Sequence, residues 1–166
     1  LDYEDYALLP DDGRRHEILD GEHVVSPSPK TRHQRLVAEF LFEIGGHVRQ
    51  HGLGEVFVAP FDVLLSPHDI VQPDVLFVRD DRLHIVDEVN CKGAPDLVIE
   101  VLSESTRRRD LIEKRQLFGR AGVAEYWAVD PAVDSVQVFR QGPEGFERVA
   151  ELTAENDDTL RSPLFP

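Results

Sequence analysis

A single acidic residue interrupts the most apolar strand-like segment of the chain. Residues 97–102 read Leu-Val-Ile-Glu-Val-Leu, and the acid is Glu100. The length and β-branched content of this segment predict a strand that is buried on both faces. A carboxylate in such a strand is unfavourable unless it is paired, hydrogen-bonded or bound to a metal. Any fold of this chain must therefore supply a partner for Glu100.

The helix predicted after this strand carries a second anomaly. Leu111, Phe118 and Ala121 recur at roughly helical spacing and form an apolar stripe. Lys114 lies inside that stripe, and Asp110 precedes it by one turn on nearly the same face. One interpretation is a lysine whose stem crosses the apolar face while its ammonium pairs with Asp110 at the edge. The other is a functional cation directed at the sheet.

Length and composition predict one globular domain over residues 1–166. No apolar run approaches the roughly 20 residues of a membrane-spanning helix, so no membrane association is expected. The single Cys91 excludes an internal disulfide and favours a reducing, cytoplasmic compartment. The sequence contains no Met, so we expect the natural chain to begin upstream of Leu1.

The charge distribution gives two opposing indications about nucleic acids. A formal net charge of -14 argues against a simple electrostatic binder of nucleic acid. Yet Arg107, Arg108 and Arg109 cluster at the start of the predicted central helix, where cations oppose the helix macrodipole. These arginines are either a solvated helix end or a contact for an anion such as DNA.

Turn signals and periodicity divide the remaining chain into elements. Asp20-Gly21 joins two predicted hairpin strands, Arg15–Leu19 and Glu22–Ser26. Helical periodicity predicts a long amphipathic helix over roughly Arg32–His51, with Thr31 as its N-cap. The other predictions are strands at Glu55–Ser66 (bent at Pro60), Val71–Arg79, Glu125–Val129, Ser135–Arg140 and Phe146–Leu152, and a loop over Asp80–Lys92. This order predicts an α/β or α+β fold with a mixed sheet.

Three acids lie in predicted strand contexts: Asp74, Asp96 and Glu100. Asp96 and Glu100 share a face but lie about 13 Å apart at strand rise, too far to chelate one ion. Asp74 and Glu100 converge if their strands are neighbours, and two carboxylates that meet there need a proton or a cation between them. Oxygen ligands favour Mg²⁺. On pattern alone, Glu17 is interpreted as a surface acid and His33 as a surface residue or local partner.

The spaced pattern resembles that of a nuclease superfamily. Asp74 in QPDV, Glu100 in PDLVIEVLS and Lys114 in RRRDLIEKRQLFGRAGVAEYWAVDP together resemble the PD-(D/E)XK nucleases. Within that superfamily the chain is most similar to the Uma-type "putative restriction endonuclease" family, from HEILDGE to EYWAVDP. The resemblance implies a restriction-endonuclease-like fold, in which helices flank a mixed central sheet. It also implies Mg²⁺ or Mn²⁺ as the cofactor, DNA as the substrate and a homodimer.

The same resemblance implies roles for individual residues. Asp74 corresponds to the metal-binding Asp, and Glu100 to the acid of the (D/E)XK element. Glu17 lies in the early acidic motif and is expected to be a further metal or water ligand. The superfamily places Lys two residues after the acid, but this chain has Leu102 there. Lys114 is therefore predicted to supply the amine from the following helix.

Further residues are second-tier candidates, and the function stays open between classes. Asp96, His33 and Asp110 belong to the second tier, and Arg107–Arg109 are candidate DNA contacts.

The leading hypothesis is a metal-dependent endonuclease that hydrolyses DNA phosphodiester bonds. The alternative is a catalytically degenerate nuclease fold that binds nucleic acid or acts as an oligomeric interaction module. A third, weaker hypothesis is a hydrolase of a small phosphate substrate, for which a closed pocket is expected.

Overall fold

Eleven strands and three α-helices make up the structure, a computed structural model that describes residues 1–166. The strands are β1 (Arg15–Leu19), β2 (Glu22–Ser26), β3 (Gly54–Val58), β4 (Asp62–Ser66), β5 (Asp69–Val71), β6 (Val75–Arg79), β7 (Asn90–Lys92), β8 (Leu97–Val101), β9 (Glu125–Asp130), β10 (Ser135–Gly142) and β11 (Gly145–Thr153). The helices are α1 (Tyr3–Tyr6), α2 (Thr31–His51) and α3 (Arg115–Ala121). A 3₁₀ helix covers Asp80–Ile85, and a π-helical segment covers Arg109–Lys114.

The strands form two sheets. The first sheet has the order β2-β1-β5-β4-β7, and the second has the order β11-β10-β9-β8-β6-β3. Strand β8 lies inside the second sheet, antiparallel to β6 and parallel to β9, so the predicted mixed sheet is confirmed. Every residue of β8 is buried, as its apolar sequence predicted.

The two faces of the second sheet bury two separate apolar clusters. Because side chains alternate along a strand, successive residues of β8 serve opposite faces. Val98 and Leu102 belong to the cluster shared with the first sheet and α3. Leu97, Ile99 and Val101 belong to the cluster that packs against α2. Alternation places Glu100 with Val98 and Leu102, on the face between the two sheets.

The predicted hairpin and long helix are confirmed. Strands β1 and β2 pair antiparallel from Arg15 to Ser26 around the Asp20-Gly21 turn. Helix α2 begins one residue earlier than predicted, with Lys30 rather than Thr31 at the N-cap position. It ends at Gly52, whose φ of 62° lies in the left-handed region that glycine adopts without a Cβ penalty.

Two of the predicted strands are wrong because each is divided between the sheets. The predicted strand Glu55–Ser66 separates at Pro60 into β3 of the second sheet and β4 of the first. Proline has no N–H for the ladder, so pairing stops there. The predicted strand Val71–Arg79 separates in the same way into β5 and β6, with Pro73 between them. The predicted loop Asp80–Lys92 contains the 3₁₀ helix and β7.

The predicted central helix has an unexpected geometry. The residues from Arg109 to Lys114 form a π-helical segment, and only Arg115–Ala121 are regular α-helix. Such wider turns within helices often occur at functional sites. Asp110 and Lys114 are the two buried residues of this segment. No helix of the structure combines the length and the apolar character needed to cross a membrane.

Candidate active site

Asp74 and Glu100 meet between neighbouring strands. Val75 of β6 pairs with Ile99 of β8, so the antiparallel register places Asp74 opposite Glu100. Directly opposed residues of an antiparallel pair carry their side chains on the same face, about 5 Å apart at Cβ. Both residues are only 2% exposed. The sequence predicted that Asp74 and Glu100 converge if their strands are neighbours. The two strands are neighbours in the structure.

Lys114 approaches the same place from the π-helical segment. Its Nζ donates hydrogen bonds to Glu100 Oε1 at 2.9 Å and to Glu17 Oε1 at 2.8 Å. All three side chains are almost completely buried. The lysine thus faces the sheet, and the interpretation that its ammonium reaches the solvent edge is wrong. Asp110, one turn before Lys114 and on the same face of this segment, is buried beside it.

Glu17 is not a surface acid, and that prediction is wrong. Its exposure is 1% because β1 is covered on both faces. The alternating sequence pattern suggested that one face of this strand is exposed to solvent. Glu17 Oε1 also accepts a hydrogen bond from the Gln72 backbone N–H at 2.8 Å. Glu17 therefore anchors the lysine from the first sheet while Glu100 binds it from the second.

The two oxygens of the Asp74 carboxylate have different partners. Val101 N–H donates to Oδ2 at 2.7 Å, and His33 Nε2 lies 3.2 Å from the same oxygen. Oδ1 is buried and accepts no hydrogen bond of good geometry, although Arg15 Nη1 lies 2.8 Å from it as an ion pair. Burial acts to raise the pKa of Asp74, but His33 and Arg15 more than offset it and hold that pKa well below its usual range.

Charge is unevenly balanced around Lys114. Burial and the neighbouring Asp74, Asp110 and Glu17 raise the pKa of Glu100 well above its usual value, against the attraction of Lys114. Burial acts to lower the pKa of Lys114, but Glu100, Glu17 and Asp110 overcome it, so that pKa is raised. The lysine is therefore firmly charged, whereas Glu100 is the carboxylate that most readily takes up a proton or a cation.

Asp110 gives a testable pH dependence. Burial raises the pKa of Asp110 to about 6 from an ordinary value of 3.8, although Lys114 opposes the shift. The folded protein therefore retains a proton that the unfolded chain releases between these pH values, and stability falls as the pH rises. We expect Asp110→Asn to raise the free energy of unfolding by about 1–3 kcal/mol at pH 8. The gain should disappear near pH 4 in urea titrations, and a pH-independent difference would contradict this assignment.

The structure separates Asp96 from the other acids. Its Oδ2 accepts the Arg79 backbone N–H at 2.9 Å and lies 3.0 Å from Arg82 Nη1. These contacts hold the start of β8 beside the end of β6, and Asp96 does not line the cavity described below.

The three arginines of the central helix have different environments. Arg107 pairs with the buried Asp130 and lines the cavity. Arg109 Nη1 donates to Ser26 Oγ at 3.2 Å, and Arg108 is exposed and 3.9 Å from Glu113. Only Arg107 of this cluster therefore faces the site.

An open cavity of about 880 Å³ gives access to these groups. Asp74, Glu100, Asp110, Lys114 and His33 lie on its surface. Its walls include residues 26–30 before α2, residues 102–107 after β8 and residues 130–132 at the end of β9 and just after it. Of the residues in these walls, the sequence singled out only Arg107 as a candidate DNA contact.

Arg15 is the contact of Asp74 that the sequence prediction missed. It also lines the cavity. The available signal was its position two residues before Glu17 on β1, which places both side chains on one face of the strand.

The donor set fits a hard divalent cation. No three His, Cys, Asp or Glu side chains converge as a complete protein-only metal site. Mg²⁺, however, is usually held by one or two carboxylates together with waters and substrate phosphates. Asp74 Oδ1, which pairs with Arg15 but accepts no well-aligned hydrogen bond, and the carboxylate of Glu100 are neighbouring oxygen donors of that kind at an open cavity.

Comparisons with known proteins agree with this architecture. A crystal structure of a "putative nuclease belonging to DUF820" from Anabaena variabilis superposes with a TM-score of 0.82. The alignment covers 99% of this chain and 90% of that chain at 20% sequence identity, so it shows a shared fold. No curated protein matches the chain. The family Uma2, described as "Putative restriction endonuclease", matches residues 3–166. Because this match extends over nearly the whole sequence, the chain belongs to the Uma2 family.

Proposed function

We propose that this protein is a divalent-metal-dependent endonuclease that hydrolyses DNA phosphodiester bonds. The observation that carries the proposal is the buried Lys114 ammonium, held by Glu17 and Glu100 beside Asp74 on the surface of an open cavity. Membership of the Uma2 family supports the same reaction class. The cavity is open rather than narrow and closed, which favours a polymer over a small phosphate substrate.

The site residues divide the chemical work between them. Asp74 and Glu100 would hold Mg²⁺ or Mn²⁺, which supplies an activated water and neutralises charge on a phosphate. Lys114 presents a preorganised positive charge to the phosphate oxygens as negative charge develops on them. Glu17 positions that ammonium through its 2.8 Å contact, and His33 and the Val101 N–H orient the carboxylate of Asp74.

Local charge makes the cavity compatible with DNA despite the acidic chain. The whole protein carries a formal charge of -14. The cavity lining contains five basic and five acidic residues and is therefore neutral. The basic members are Arg15, Lys30, Arg32, Arg107 and Lys114. A phosphate backbone approaching this cavity meets less repulsion than it meets elsewhere on the surface.

Plasmid cleavage tests the proposal. We expect the protein to nick or linearise supercoiled DNA in Mg²⁺ or Mn²⁺ and to lose this activity in excess chelator. Lys114→Ala and Glu100→Ala should abolish cleavage while circular dichroism shows that both variants remain folded, whereas the exposed Lys92→Ala serves as a matched lysine control. Agarose gels measure cleavage of the supercoiled plasmid, and single-stranded oligonucleotides serve as a second substrate. Wild-type protein that cleaves neither substrate in either metal would contradict the proposal.

A second candidate function follows from the same contacts. Leu102 stands where the superfamily places its lysine, and Lys114 already has two carboxylate partners. A degenerate nuclease fold that binds nucleic acid or another protein without cutting would retain this ion cluster for stability. DNA binding that is independent of divalent metal and occurs without cleavage would favour this alternative.

We also propose that the protein acts as a homodimer. Simultaneous cleavage of both strands of a duplex requires two sites, which two chains with one site each would supply. Phe42 on α2 is 76% exposed and provides one apolar surface residue for such an assembly. Sedimentation equilibrium over a range of protein concentrations tests this proposal, and a single monomeric species would contradict it.

A further inference from the structure

Arg15 is a charged side chain that lies inside the candidate site but has no place in the proposed chemistry. Its Nη1 lies 2.8 Å from Asp74 Oδ1, the carboxylate oxygen that lacks a well-aligned hydrogen bond. The Arg15 side chain is 20% exposed and lines the cavity. The guanidinium is therefore held at the oxygen that an incoming cation would need, and it retains a path toward solvent.

The electrostatics of Arg15 extend beyond Asp74. Burial acts to lower the pKa of Arg15, but Asp74, Glu100 and Glu17 outweigh it and raise that pKa. The same two carboxylates that fit a divalent cation thus stabilise this guanidinium. Four acids surround the site (Glu17, Asp74, Glu100 and Asp110), and Lys114 and Arg15 are its only fixed cations within hydrogen-bond or ion-pair distance of them.

We propose that Arg15 is a built-in competitor of the metal: its guanidinium pairs with Asp74 beside Glu100, and a divalent cation binds there by displacing it. This inference rests on the proposed metal-dependent function. Displacement leaves a planar donor group beside the cavity, and guanidinium groups bind phosphate oxygens through paired hydrogen bonds. A phosphodiester therefore gives the displaced side chain a new partner.

This competition couples metal binding to substrate binding. If a phosphate stabilises the displaced Arg15, it raises the apparent affinity for the metal, and the metal raises the affinity for the phosphate by the same factor. The free protein then binds metal weakly and acquires it efficiently only together with its polyanionic substrate. Arg15 is thus a positioning residue for both ligands.

Calorimetric titration of Mn²⁺ into substrate-free protein tests the inference. We expect Arg15→Gln to bind Mn²⁺ about tenfold more tightly than wild type, because a positive charge is removed from the cation position. Arg15→Lys should remain close to wild type. Arg14→Gln is the matched control, since Arg14 is 61% exposed, pairs with Asp12 and changes the net charge equally. Arg14→Gln should leave the affinity unchanged.

A measurement on the wild-type protein makes the test independent of how the variants fold. The Nε–Hε resonance of Arg15, assigned by its loss in Arg15→Lys, should shift when Mg²⁺ is added to substrate-free protein. The resonance of Arg14 should not shift.

The outcomes separate this inference from the proposed function. Equal Mn²⁺ affinity in wild type and Arg15→Gln, with an unperturbed Arg15 resonance, would overturn the competition and leave the metal site intact. Absence of Mn²⁺ binding in both proteins at millimolar metal would overturn both proposals, because Arg15→Gln removes the competitor itself. If Arg15→Gln binds Mn²⁺ more tightly than wild type and Arg14→Gln does not, the competition is supported, whether or not the protein cleaves DNA.

Discussion

Lys114→Met is expected to lower the free energy of unfolding by about 3–5 kcal/mol, because it leaves buried carboxylates without their cation. Glu17 and Glu100 are 1% and 2% exposed, and their contacts with Lys114 are 2.8 and 2.9 Å long. Methionine retains much of the length and volume of lysine but carries no charge. The cost therefore arises from unpaired charge rather than from a cavity. Urea denaturation followed by circular dichroism provides the measurement.

Two further variants test this explanation. Lys92 is 64% exposed in its side chain and pairs with Asp87, so Lys92→Met should change stability by only about 0.5 kcal/mol or less. The double variant Lys114→Met/Glu100→Gln should recover part of the loss, since it also removes one of the stranded carboxylates. A Lys114→Met protein as stable as wild type would show that the ion cluster is not buried in solution.

Glu100→Gln is expected to separate function from stability. The proposed reaction needs an anionic oxygen at this position, so we expect cleavage to fall about a hundredfold or more. Stability should change by no more than about 1 kcal/mol, or even rise, because the substitution removes a desolvated carboxylate. The glutamine oxygen still accepts from Lys114, and Glu17 still balances the lysine charge. Initial cleavage rates and urea midpoints, measured on the same preparations, provide the two readouts.

Asp96→Asn is the matched control for Glu100→Gln. Both substitutions convert a buried acid near β8 to its amide, but Asp96 contacts Arg79 N–H and Arg82 away from the cavity. We expect Asp96→Asn to lower stability by about 1 kcal/mol and to leave the cleavage rate unchanged. If Glu100→Gln cleaved DNA at the wild-type rate, the chemistry would have to lie elsewhere in the protein.

Part of the site follows from local sequence because certain charges contradict their surroundings. Glu100 interrupts a fully apolar strand, and Lys114 interrupts an apolar helical stripe. The sequence alone therefore predicts that each of these two charges has a polar partner. The hairpin β1–β2 and helix α2 also follow from local signals, the Asp-Gly turn and the apolar periodicity. These features depend on neighbouring residues, which are visible in one sequence.

The rest of the site depends on how the two sheets pack. Glu17 looks like a surface acid within RHEIL, because alternation cannot show that a second layer covers both faces of the strand. The place of Arg15 in the site depends on its ion pair with Asp74, which lies 59 positions later in the sequence, so local pattern cannot predict it. The π-helical turn over Arg109–Lys114 has no periodicity signal distinct from that of an α-helix. Division of the predicted strands at Pro60 and Pro73 likewise sends neighbouring residues to different sheets.

The contact between Glu17 and Lys114 determines when, during synthesis and folding of the chain, the ion cluster can form. It joins residues 97 positions apart, one from the first sheet and one from the helical segment that follows β8. Contacts of such long sequence separation require the closure of a long stretch of chain, whereas hairpins and helices form from neighbouring residues. During translation Glu17 leaves the ribosome long before Lys114 has been made. A nascent or half-folded chain therefore cannot assemble the ion cluster, and the proposed activity would begin only when the two sheets have docked.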